Sequence, residues 1–283
     1  MRYKLVYQTA AGKIEFSIQS GYVIDMFNSP TAQSVDMNVS SAARSIGDKL
    51  ESQQVTGKYM TISGTIIGSG VDGKRAKMLH VIAPLMKAQL IFEDKYILDV
   101  YPKETPTIER YASHPTFQMM LYAPYPYWRT KDGNTVMLLG LEKHFRFPWN
   151  ISSPNPFRFS TYTKNAYKNV YNGGDAPTQW KVTFLAKSVL SNPMIENIQT
   201  GEYVRVLCTL DVGEQVAVDT RGPEITVTMI ARDGTETDGF TNLDIGSTAF
   251  QLQVGDNLIR TTADATDYAL YAGIEFRTNI AGV

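Results

Sequence analysis

The stretch YMTISGTIIGSGVDGKRAKMLHVIAPLM, residues 59–86, decides what kind of sheet the first half of the chain builds. Within it Gly68, Gly73 and Lys74 fall at G-x-x-x-x-G-K, after a strand-like run and before a helix-like one. A phosphate-binding loop needs a Ser or Thr after that lysine to reach Mg²⁺, and a parallel strand–helix–strand unit that aims backbone N–H groups at the phosphates. Position 75 is arginine, and the neighbouring strands read as antiparallel. The stretch therefore reads as a strand-to-helix turn, with glycines permitting positive φ and Asp72 capping the helix. That helix is expected from about Lys74 to Lys87, on Ala76, Leu79, Ala83 and Met86, with Pro84 bending or ending it early.

Outward from this point, period-two alternation dominates. Tyr3, Leu5 and Tyr7 share a face, as do Ile14, Phe16 and Ile18; Val35, Met37 and Val39; Met60 and Ile62; Leu90 and Phe92; and Phe117, Met119 and Leu121. Between two such strands, Ser40 to Gly57 is polar and weakly patterned, and reads as a long excursion from the sheet; long loops of this kind often contact partners. After APYPYW (Ala123–Trp128) come Pro148, Pro154 and Pro156, which mark a linker. Alternation then returns: Val204, Val206, Cys208 and Leu210; Val216 and Val218; Ile225, Val227 and Met229; Phe250, Leu252 and Val254; Ile274 and Phe276. Turns such as DVGE, DTRGPE and VGDN separate these strands, a spacing that reads as a β-sandwich or jelly roll. The expected organisation is residues 1–130 as one domain, 131–164 as linker and 165–283 as a second domain, in a mainly β fold with one helix.

Composition removes several function classes. With 27 Lys and Arg against 28 Asp and Glu in 283 residues, the basic footprint of a nucleic-acid binder is missing. No run approaches the roughly 18 apolar residues of a membrane helix, and MRYKLVYQTAAG alternates at once, so neither a membrane span nor a secretory signal is expected. The single cysteine, Cys208, shares a strand face with Val204, Val206 and Leu210 and reads as a small buried residue.

Candidate chemistry is sparse. DGTETDG (Asp233–Gly239) begins like a calcium loop, yet its sixth position is Asp238 and no glutamate closes it, so it reads as a hairpin connection. Glu214, Asp219 and Glu224 suggest an acid–base pair for sugar hydrolysis, but each falls in or beside a turn. His80, His114 and His144 form no zinc-ligand spacing, and His80 is expected to flank the helix core. Tyr122, Tyr125, Tyr127 and Trp128 suit either a sugar- or protein-binding surface or the packing of a strand end. No catalytic, cofactor or metal residue is assigned.

The order of the pieces resembles that of the distal tail protein (Dit) family of long-tailed bacteriophages. The resemblance rests in the first half on GTIIG, the helix near Arg75, YILDVYP and FQMMLYAPYPYW. In the second half it rests on YNGGDAPTQWKVTF, SNPMIENIQTGEYVRV, LDVGEQVAVDT, FQLQVGDNLIR and YAGIEFR. It implies an N-terminal tail-protein β-barrel or sandwich and a C-terminal galectin-like sandwich. It further implies a structural hub at the virion tail tip, assembled in the host cytoplasm: six copies form a ring that joins the tail tube to tail fibre, tail-associated lysin or receptor-binding proteins and passes DNA. An enzyme is not expected, nor a cofactor, a membrane or sequence-specific nucleic-acid binding. The excursion at 40–57, with Arg44, Asp48, Lys49 and Glu51, is then the expected ring interface, and removing Ala42–Gln54 should leave a folded monomer. Two alternatives remain at this stage. One is a carbohydrate-binding module, with cell-wall glycan contact by the second domain, supported by 16 tyrosines and 3 tryptophans. The other is a hydrolase using Lys74 or the C-terminal carboxylates.

Overall fold

The computed structural model describes all residues except 1–3, 29–34, 42–45, 140, 144–159, 163–166, 223 and 265–269. The chain divides into two compact units, Met1–Asp132 with Asn279–Val283, and Gly133–Thr278.

In the first unit the strands are β1 (Leu5–Thr9), β2 (Gly12–Phe16), β3 (Tyr22–Phe27), β4 (Val35–Ser40), β5 (Lys49–Val55), β6 (Lys58–Ile66), β7 (Ala88–Phe92), β8 (Tyr96–Pro102), β9 (Thr107–Ile108), β10 (Thr116–Ala123) and β11 (Trp128–Thr130), with α1 (Val71–Val81) between β6 and β7. The main path runs β2-β1-β7-β8-β10-β6-β3, every pairing antiparallel. β8 and β10 meet over only Leu121↔Pro102 and Tyr122↔Tyr101, and the two ends of the path touch through an isolated bridge, Ser17↔Tyr22, so the sheet curls into a half-barrel. Alternation explains what fills it: Leu5, Tyr7, Ile14, Phe16, Met60, Ile62, Leu90, Leu98, Phe117, Met119 and Leu121 are all buried in one core. Each fully buried side chain of this size contributes about 1.5–3 kcal/mol.

The helix differs from its expected form at both ends. It starts at Val71, with left-handed Gly70 (φ 72°) as its cap and no side-chain capping bond; Asp72 sits inside the first turn instead, where its charge suits the helix dipole. It stops at Val81, three residues before Pro84, and Leu85 has a positive φ of 68°. Met78, Val81 and Ile82 enter the core, whereas Ala76 is exposed. Of the expected face, Leu79 packs against the core as expected, Ala76 does not, and Ala83 and Met86 lie beyond the helix end.

The second unit contains β12 (Asn134–Leu139), β13 (Leu141–Lys143), β14 (Ser160–Tyr162), β15 (Lys168–Asn172), β16 (Trp180–Ala186), β17 (Leu190–Ser191), β18 (Met194–Asn197), β19 (Tyr203–Arg205), β20 (Thr209–Leu210), β21 (Gln215–Asp219), β22 (Thr226–Ile230), β23 (Glu236–Asp238), β24 (Gly255–Thr262) and β25 (Leu270–Phe276). One sheet is ordered β12-β25-β16-β21-β22-β23 and the other β15-β24-β18-β19. Their inward residues share one core: Val182, Phe184, Val216, Val218 and Ile274 from the first sheet, and Val170, Ile195, Val204 and Ile259 from the second. That is a β-sandwich, the class expected from the turn spacing.

The division of the chain departs from the expected one in two places. Residues 134–139 are not linker but β12, paired with β25 from Asn134↔Phe276 onward. Residues 279–280 form β26, which returns to the first unit and pairs with β11 at Trp128↔Ile280 and Arg129↔Asn279. Pro148, Pro154 and Pro156 lie outside the described residues.

Candidate assembly surface

The expected excursion is a hairpin, with Lys49–Val55 strand where loop was expected. β4 and β5 pair with each other and with no other strand among the described residues, and every residue of both is exposed. The register runs Val35↔Val55, Asp36↔Gln54, Met37↔Gln53 and Asn38↔Ser52, then shifts, so that Val39 faces Leu50 and Ser40 faces Lys49. Directly opposed residues share a face, and the shift leaves Glu51 as an extra residue in β5. Without it, Glu51 would oppose Val39 and Leu50 would oppose Ser40, each on the wrong side. With it, one face of the arm carries Val35, Met37, Val39, Leu50 and Val55, with Gln53 opposite Met37, and the other carries Asp36, Asn38, Ser40, Lys49, Ser52 and Gln54. Glu51 joins the polar face: it accepts hydrogen bonds from the Ser40 hydroxyl at 2.7 Å and the Lys49 ammonium at 3.2 Å. The Ser40 bond first, then that from Lys49, holds its carboxyl below the usual range.

The five apolar side chains are 39–58% exposed, although their alternation is that of a half-buried strand. A lone two-stranded hairpin is marginal in water, and a contiguous exposed apolar face marks an interaction site. Of the four residues expected at an interface, Asp48, Lys49 and Glu51 lie on this arm, with Asp48 accepting from Ser41; Arg44 lies outside the described residues. The apolar residues were missed because a sequence shows the alternation of Val35, Met37 and Val39 but not the absence of anything to cover it.

The remaining candidates resolve into structural roles. The Lys74 ammonium donates to the Ile67 carbonyl at 2.6 Å, across the turn formed by Gly68 and Gly70, whose φ values are 84° and 72°. β6 and β7, on either side of α1, are not neighbours in the sheet, so no parallel strand–helix–strand unit is present. Asp233 accepts from the Thr235 N–H and Asp238 from the Phe240 N–H, ordinary turn bonds. Glu214 accepts from the Asp211 N–H and Asp219 is gripped by both Nε and Nη2 of Arg221, so these two are placed by their own turns, while Glu224 is exposed. Asn192, at φ 51°, donates to Asp264. His80 is exposed on the helix rather than flanking its core, His114 contacts Ser113, and His144 lies outside the described residues. Tyr125 packs at a tilt against Tyr127, with ring centroids 5.6 Å apart, and takes a hydrogen bond from Asn279 at 2.6 Å, while Trp128 is fully buried against Phe92; both are strand-end packing. Among the described residues there is no group of three metal-ligating side chains, and no helix is long and apolar enough to cross a membrane.

Cys208 is half-buried, and burial first, then the charge of Glu214, pushes its thiol up to about 11. Unfolded thiols titrate near 8.5. The thiol's contribution to stability is therefore fully present below about pH 8.5 and falls away as pH rises toward 11. At pH 8, disulfide-exchange reagents should label native Cys208 at least tenfold more slowly than the denatured chain, with the native rate still rising past pH 9; equal rates would contradict the placement.

Comparison with known proteins bears on both units. Residues 173–277 match the family described as "Siphovirus-type tail component, C-terminal domain", of the SPP1 Dit type. No curated protein matches the sequence. The fold is similar to that of phage SPP1 Dit, a protein described as a paradigm of the hub adsorption apparatus in phages infecting Gram-positive hosts: TM-score 0.69 at 12% identity, over 99% of each chain. A chain of the phage P2 baseplate in its activated conformation with Ca gives a TM-score of 0.52 at 9% identity, and one from the form with Sr gives 0.53 at 10%, each over 100% of both chains. The second unit thus carries the C-terminal domain of a siphovirus-type tail component, a galectin-like sandwich, and the half-barrel before it completes the same two-part fold. Over its whole length the chain shares the fold of the SPP1 Dit protein, while the family match covers residues 173–277.

Proposed function

We propose that this protein is the hub of a phage tail tip: six copies close into a ring through their first units, joining the tail tube above to the tail fibre, lysin or receptor-binding proteins below and leaving an opening for DNA. The observation that carries this reading is the β4–β5 arm, an amphipathic hairpin whose apolar side chains stay exposed and whose strands pair with no other strand among the described residues. A ring is a heterologous assembly that closes by rotation, so each copy needs two different, complementary surfaces, and a projecting arm is suited to be one. The function is structural rather than catalytic: Glu214, Asp219 and Lys74 are engaged in local turn contacts, and Cys208 is half-buried with its thiol pushed up. The test is the mass of the purified protein at high concentration, with electron micrographs of the particle. A hexamer imaged as a sixfold ring is the expected result, and a compact monomer at every concentration would overturn it.

A further inference from the structure

The outer face of the half-barrel holds a cavity of about 360 Å³ between β3, β6, β9 and β10. Its construction begins at Gly64 of β6, where a side chain would run into the Val23 carbonyl of β3; glycine lets the two strands close. At that point β3 takes in one extra residue: Ile24 lies opposite Gly64 and Met26 opposite Ser63, which leaves Asp25 in a bulge that aims it at the cavity. The Thr65 hydroxyl donates to Asp25 at 2.7 Å, and the Thr116 N–H donates to Glu109, on the other side, at 3.1 Å. Thr65 and Thr116 are cross-strand partners, so both carboxylates are pinned to one row. The next row continues the lining, with Gln118 between Ser63 and Thr107. No lysine, arginine or histidine lines the cavity. About 13 Å further along β6 and β10, on the same outward face, Tyr59 lies opposite Tyr122, with Tyr101 of β8 beside it. The rings of Tyr59 and Tyr122 are 4.9 Å apart at 42°, and Tyr59 is 56% exposed.

We infer that the cavity and the tyrosine row form a binding track for an uncharged oligosaccharide. Every residue of the track belongs to one copy, so the inference stands apart from the ring. Small-molecule sites enclose about 300–1,000 Å³, and this cavity falls in that range. A divalent ion is poorly served: among the described residues no third His, Cys, Asp or Glu joins the two carboxylates. A phosphate or another acid would meet two carboxylates and no cation to offset them. An ammonium or guanidinium only donates hydrogen bonds, and would leave the Gln118 amide and the Ser63 and Thr107 hydroxyls without an acceptor. A sugar hydroxyl does both: it donates to Asp25 and Glu109 and accepts from Gln118 and the hydroxyls. The tyrosine rings then offer an apolar face with a polar rim to the C–H side of the sugars that follow. Because both carboxylates are already fixed by the strands, little ordering is left for the ligand to impose.

The experiment titrates the full chain with two probes, chitotetraose and cellotetraose, read by calorimetry and by backbone amide shifts. Arginine amide is titrated separately as the cationic alternative. At least one tetrasaccharide should bind with Kd below about 1 mM. Its amide shifts should cluster at Ser63, Thr107 and Gln118, a result that needs no variant. The near-isosteric pair Asp25→Asn with Glu109→Gln should weaken that binding at least tenfold, and Tyr59→Ala with Tyr101→Ala at least fivefold, with unfolding midpoints confirming that both variants fold. The inference is overturned if neither tetrasaccharide binds at about 10 mM. It is equally overturned if the shifts fall only in the second unit, if the carboxylate variant binds as the parent does, or if arginine amide binds and the sugars do not.

Discussion

Replacing residues 36–54 with a two-residue Asn-Gly turn, so that Val35 leads directly to Val55, is expected to give a protein that folds as before and no longer assembles. Val35 and Val55 are already cross-strand partners, so the new turn closes a ladder that exists. Among the described residues, none of the removed side chains enters a core, and β4 and β5 have no other pairing partner. The unfolding free energy of the first unit should therefore change by less than ~1 kcal/mol, with a small gain from the shorter loop. Assembly should fail completely, since one of the two surfaces a closed ring requires is gone. Sedimentation velocity and denaturant unfolding on the same sample separate the two effects. Rings that persist in this variant would remove the arm from the interface; a loss of several kcal/mol would show that the arm supports the fold.

The second large effect concerns the sandwich. Trp180 is fully buried, packs on Phe250 with ring centroids 4.9 Å apart, and donates its indole N–H to the Phe250 carbonyl at 2.9 Å. Its backbone N–H and carbonyl are both bonded to the Thr220 hydroxyl, at 3.0 and 2.8 Å. Trp180→Ala opens a cavity and leaves the Phe250 carbonyl unsatisfied, with an expected cost of about 4–5 kcal/mol. Trp180→Phe keeps most of the volume and loses the N–H, at about 1–3 kcal/mol. At a urea dependence of about 2 kcal/mol/M, the alanine variant should move the transition of the second unit by roughly 2 M. Because the chain has two units, the transitions must be resolved by amide exchange, not by one global signal. A shift below about 0.5 M, or one confined to the first unit, would contradict the assigned core.

Strands were the most legible part of the sequence because the signal is local. Ile14 and Phe16, Phe117, Met119 and Leu121, and Ile274 and Phe276 are buried as their alternation predicts. At two positions the pattern misled because the strand had ended: Ile18 lies beyond β2 and Val254 just before β24, and both are exposed. The helix was legible in kind but not in its bounds, since Gly70 rather than a capping side chain fixes where it starts. The return of β26 to β11 was not legible at all. It pairs residues about 150 positions apart through a two-residue strand, and nothing near Asn279 announces its partner. The candidate surface was half legible. Its polar residues stood out as a long unpatterned stretch, whereas its apolar ones resembled a buried strand, and only the tertiary structure shows that they lack a cover.

That returning strand also dictates an order of events during synthesis. β11 is made early, yet its partner β26 leaves the ribosome only after residues 133–278 have been translated. At typical elongation rates the gap is on the order of ten seconds, long enough for a sandwich of this size to fold meanwhile. For that interval the half-barrel has an unclaimed strand edge at Trp128–Thr130, open to any passing chain. Newly made copies that meet too soon would therefore be expected to exchange terminal strands, and spacing between ribosomes on one message would set how often that happens.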